Sequence, residues 1–162
     1  MKSPEQTSIV LLLVAVVYLS TGWAAAGASD PKDLSILQKW NGDYPVAHLD
    51  RLPPGQTEAY AGYVDEKSLF EGLWQVFKPN EPLPEVDFGT QIVVLYRNVA
   101  FYNRTNIVKV TLRDGIAEII AIETRSALPI EDKVAMAMAV IPRAGIKFIQ
   151  AGSGLIPVSA VQ

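Results

Sequence analysis

Asp114-Gly115 stands between two runs of alternating residues, and this arrangement limits the possible folds more than any other stretch of the chain. Upstream, Ile107–Arg113 sets Val108, Val110 and Leu112 against Lys109, Thr111 and Arg113. Downstream, Ile116–Thr124 continues as a second strand-like run. A two-residue hairpin loop needs positive φ at both positions, and Asp-Gly accepts that conformation. With Arg113 and Ile116 flanking the loop, Leu112 is expected opposite Ala117, Val110 opposite Ile119 and Val108 opposite Ala121. Large side chains then face small ones. Thr111 falls opposite Glu118, and Lys109 opposite Ile120, on the other face. Ile116, Ile120 and Ile122 make that second face too apolar to lie bare. A helix is expected to cover part of it.

Ser68–Phe77 supplies that helix. Phe70, Leu73, Trp74 and Phe77 recur at i, i+3, i+4 and i+7, a single apolar stripe. Ser68 and Glu71 have the spacing of a capping box, and Pro79 stops the helix. Pro79–Pro84 is a proline-rich link. Gln91–Arg97 is a β-branched run suited to a buried strand. Val134–Ile141 alternates large and small. Alanine and methionine favour helix there, but the period of two and Pro142 favour a strand. Ile146–Gln150 and Leu155–Val158 are expected as final strands, separated by Gly152-Ser153-Gly154. Ser29–Asp65 is rich in Pro and Gly and is expected to pack on the domain as an extended N-terminal segment, with a short helix at Leu34–Trp40. The expected fold is α+β: a mostly antiparallel sheet, sandwich- or barrel-like, with one packed amphipathic helix. Residues 66–162 form the globular domain.

The first 28 residues read as a signal peptide. Met1–Ser8 is polar, Ile9–Leu19 is continuously apolar, and Ala26-Gly27-Ala28 closes the stretch with small residues, placing cleavage near Ala28-Ser29. The product is expected in the periplasm or secreted. An uncleaved N-terminal membrane anchor is the alternative, since about 20 apolar residues span a bilayer. Exported domains can form disulfides, but this chain has no cysteine. Its 162 residues, less the leader, still form a core of useful size.

The reactive inventory is thin. One histidine is present, His48, so a hydrolase triad has one candidate base. His48 and Asp50 are too few for a closed metal site. No thiol exists, and Gly152-Ser153-Gly154 lacks the spacing of a nucleophile elbow. Glu131 and Asp132 are adjacent, and Glu118 and Glu123 are odd in register, so neither pair faces one substrate from a regular element. Net charge is −3 with no basic stripe, which argues against nucleic acid. No enzyme activity, metal or cofactor is expected.

Arg97-Asn98-Val-Ala-Phe-Tyr102-Asn103-Arg104-Thr-Asn106 joins two expected strands and combines two guanidinium groups, amides and aromatics. Arg97, Asn98, Tyr102, Asn103, Arg104 and Asn106 are the candidate binding residues. Trp74, the proline-rich link, Val86-Asp87-Phe88 and the strand Ile92-Val-Val-Leu95 resemble the lead-in to the C-terminal domain of PrcB-type protease-complex subunits. The resemblance runs over residues 70–158. It departs after the valine strand, where the family has a glycine-rich step and this chain has Asn98-Val-Ala-Phe-Tyr-Asn-Arg. The resemblance implies a non-catalytic exported α+β domain that associates with another protein. The residues themselves point the same way: a bacterial module whose partner is another extracytoplasmic protein or an envelope component. A carboxylate-dependent hydrolase of envelope polysaccharide and a carrier of a small apolar ligand are the alternatives.

Overall fold

The computed structural model describes residues 29–53, 55–56, 60–98, 102–125, 127 and 131–159; the side chains of Tyr102 and Asn103 lie outside the description. The expected leader, residues 1–28, lies outside it too. The chain runs β1 (Lys32–Leu34), β2 (Gln38–Pro45), a 3-10 turn (Val46–Arg51), β3 (Ala61–Val64), α1 (Lys67–Phe77), β4 (Gln91–Asn98), β5 (Tyr102–Arg113), β6 (Ile116–Arg125), β7 (Lys133–Pro142), β8 (Phe148–Ala151) and β9 (Gly154–Pro157). One sheet has the order β1-β5-β6-β8-β9 and the other β2-β7-β4-β3. All pairings are antiparallel except β6 with β8. The fold is α+β, and the sheets form a sandwich rather than a closed barrel.

The sandwich has a third layer, and β7 shows why. Val134, Met136, Met138 and Val140 belong to the core shared with α1. Ala137, Ala139 and Ile141 belong to the core between the sheets. Successive residues of a strand point to opposite faces. The large-small alternation thus assigns methionines to the helix side and alanines to the side where another sheet approaches. β4 divides likewise, with Val93 and Leu95 toward the helix and Ile92 and Val94 toward the five-stranded sheet. A central strand buried on both faces reads as a continuous apolar run.

Phe70, Leu73, Trp74 and Phe77 are all buried, as the helical spacing requires. Trp74 packs edge-on against Trp40 with ring centroids 5.0 Å apart. Each such burial contributes about 1.5–3 kcal/mol. This interface, where an apolar ligand would have to sit, is occupied by those side chains together with Met136 and Met138. The capping box does not form. The helix begins at Lys67 with Glu66 as its flanking residue and no side-chain cap, so Ser68 already lies inside the first turn. A missing cap costs about 1 kcal/mol, far less than the apolar stripe gains.

Three further expectations are corrected. Leu34–Trp40 is not a helix: β1 and β2 occupy its two ends, and each joins a different sheet. The helix does not cover the isoleucine face of the hairpin, because it packs on the four-stranded sheet instead. The hairpin places Val110, Ala117 and Ile119 against that sheet's other face. Ile120 and Ile122 stay 40% and 61% exposed. The hairpin turn itself is as expected: Asp114 and Gly115 have φ of 52° and 85°, and Arg113 pairs with Ile116. The register Leu112–Ala117 and Val110–Ile119 holds. It breaks at Val108: Lys109 pairs with Ile120, but Ile107 pairs with Ala121. This bulge turns Ile107 into the core and Val108 outward. Without the extra residue, the alternation would place Ile107 in solvent.

Candidate functional site

The six candidate residues do not form one surface. Arg97 and Asn98 are consecutive on β4, so they point to opposite faces. β4 and β5 lie in different sheets. Arg97 is 3% exposed and faces the helix side with Val93 and Leu95. Its guanidinium donates to the carbonyl of Gln56, and its amide donates to the carbonyl of Tyr60 at 2.9 Å. Gln56 in turn accepts the amide of Tyr63 on the edge strand β3. Burial lowers the Arg97 pKa from its ordinary value to about 10, and the charge interaction with Tyr44 works the other way. Arg97 is therefore a structural cation, not part of an exposed contact surface.

Tyr44 is fully buried and donates to the carbonyl of His48 at 3.0 Å. Desolvation raises its pKa; Arg51 and Arg97 oppose the rise and Asp50 adds to it. His48 thus serves the fold through its backbone. Among the described residues, no group of three or more His, Asp or Glu side chains is placed to hold a metal.

Asn98 is 6% exposed and looks into the space between the sheets, where its amide donates to Glu123 Oε1 at 2.9 Å. Thr105 pairs across the ladder with Glu123 and faces the same interior. Arg104 and Asn106 alternate with Thr105 and turn outward. Asn106 lies opposite Ile122, and Arg104 opposite Thr124. Tyr102 opens β5 beside Arg125, and Asn103 follows at an irregularity in the ladder.

Arg104 is exposed at the rim of an open cleft of about 540 Å³ lined by Asn41, Gly42, Asp43, Arg104 and Thr105. Three of these residues come from β2, on the opposite sheet. Asp43 is paired with Lys133 at 2.6 Å. That contact raises the lysine pKa, by hydrogen bond first and charge second. Thr105 Oγ1 is buried and has no hydrogen-bond partner among the described residues. The cleft thus presents a guanidinium, a carboxylate and a hydroxyl side by side.

Sequence reasoning missed Asn41 and Asp43 at this cleft, and Lys133 as the partner of Asp43. No motif links Asn41 and Asp43 to Arg104 and Thr105 across the sequence, and β2 was not legible as a strand. The one local signal in Arg104-Thr105-Asn106 is a β-branched residue between two that are not.

No family model, curated protein sequence or solved structure matches this chain. No helix among the described residues is long and apolar enough to cross a membrane.

Proposed function

We propose that this domain is a non-catalytic binding module of the extracytoplasmic space, contacting another exported protein or an envelope component through the outward face of its five-stranded sheet. The observation that carries this reading is the pair of bare isoleucines, Ile120 and Ile122, on the outer side of β6. Lys109 lies directly across from Ile120, and Asn106 across from Ile122. Cross-strand neighbours stand about 4.5–5.5 Å apart, so these side chains form one patch. Val108, turned outward by the bulge, adds to its apolar area. Lys109 is held by Asp33 at 2.9 Å. A contiguous apolar surface rimmed by polar groups is the usual mark of a contact site. The likeness to PrcB-type subunits over residues 70–158 supports association with a protein, and the leader-like first 28 residues support export.

The test is site-specific photo-crosslinking in the producing cell. A photoreactive residue at Ile122 should give a discrete higher-mass adduct. The same residue at Gln75, exposed on α1, should not. Absence of an adduct from Ile122, or equal adducts from both sites, overturns the reading.

A further inference from the structure

The cleft beside Arg104 lies between two strand edges that no other strand covers among the described residues. β2 ends the four-stranded sheet. β1 covers β5 only at Val110, Thr111 and Leu112. Among the described residues, the first half of β5 and the edge of β2 therefore border an open seam. Two recognition groups in that seam are unspent. Arg104 forms no ion pair among the described residues. Thr105 is 2% exposed, lines the cleft, and has no hydroxyl partner among the described residues. Buried polar groups are nearly always satisfied, so an orphan hydroxyl at a cleft wall needs an explanation.

We infer that this cleft binds a carboxylate, with the Arg104 guanidinium as its counter-ion and the Thr105 hydroxyl and Asn41 amide as donors. A guanidinium matches a carboxylate with two parallel hydrogen bonds. The carboxylate already present, Asp43, has its charge matched by Lys133 at 2.6 Å, so it does not repel an incoming anion as a free carboxylate would. A cation is disfavoured because Arg104 would repel it. A neutral sugar would leave the Arg104 charge unanswered. The carboxylate belongs either to a free small acid or to an acidic group on a polypeptide laid along the seam. This inference stands apart from the contact face at Ile120 and Ile122, whose test reads crosslinks and not small-acid binding.

The experiment is an NMR titration of the isotope-labelled domain at constant ionic strength. The probes are acetate, the blocked tripeptide acetyl-Ala-Glu-Ala-amide and its Gln counterpart. Acetate should produce saturable shifts of the Gly42, Asp43, Arg104 and Thr105 amides. Arg104→Gln and Thr105→Val should each weaken binding about tenfold or more, with spectra otherwise like the wild type. Tighter binding of the Glu tripeptide than of acetate, lost with the Gln form, assigns the carboxylate to a polypeptide. Equal or weaker binding assigns it to a free acid. No saturable shift up to about 100 mM acetate, or shifts of equal affinity in wild type and both variants, overturns the inference.

Discussion

Replacing Thr105 by valine should make the fold more stable, and the size of the gain follows from one atom. Thr105 Oγ1 is buried without a partner among the described residues. A buried polar group left unsatisfied costs about 1–3 kcal/mol. Valine has nearly the same shape, keeps the branched Cβ favoured in strands, and replaces the hydroxyl by a methyl in contact with the inter-sheet core. The open cleft beside the residue lets some water reach the wall, so the expected gain is about 1–2 kcal/mol, toward the low end of that range. For a domain of this size that raises Tm by roughly 3–8 °C. Urea unfolding followed by tryptophan fluorescence is a suitable assay, because Trp40 and Trp74 pack edge-on 5.0 Å apart in the helix-side core. A loss of stability of about 1 kcal/mol or more would refute the reasoning, since it would mean the hydroxyl is satisfied in solution. The same variant should lose affinity for acetate. Stability and binding should thus move in opposite directions at this position.

Three further outcomes are expected. Arg97→Ala should destabilise by about 2–4 kcal/mol, as it empties a buried site and strips the Gln56 carbonyl of its donor, whereas Arg104→Ala should stay within about 0.5 kcal/mol; equal effects in urea titrations would contradict this division of roles. Tyr44→Phe should lose about 1 kcal/mol near neutral pH, through the hydrogen bond to His48. That deficit relative to wild type should shrink as pH rises through 10, because the folded phenol has a raised pKa and the unfolded phenol ionises first, so wild type alone loses stability there; a constant gap between about pH 8 and 11 in chemical denaturation would count against it. Ala139→Leu should cost about 2 kcal/mol or more, since Ala139 is fully buried where the sheets meet and added methylenes have no space; an unchanged Tm would show that the layers can part freely.

Much of this architecture was legible locally. Asp114-Gly115 and the runs beside it define the hairpin and most of its register, because positive φ and a period of two are properties of neighbouring residues. The stripe Phe70, Leu73, Trp74 and Phe77 defines the buried face of α1 for the same reason. The alternation in β7 is also visible in the residues themselves. Its meaning was not, since nothing in Val134–Ile141 says that a helix waits on one side and a sheet on the other. The candidate site was less legible. Arg97 looks like a surface cation, and only its place in β4 shows that it is sealed beneath the helix-side layer.

By itself, the amino-acid order determined which side chains share a face: the helix stripe, the hairpin pairs, the methionines and alanines of β7. Only the tertiary structure decided what each face meets. It set α1 on the four-stranded sheet, inserted the bulge that buries Ile107, left Ile120 and Ile122 bare, and brought Asn41 and Asp43 to Arg104 and Thr105. The physical reason is that periodicity is written by adjacent backbone geometry, whereas packing is chosen by competition among all the apolar faces of the chain at once.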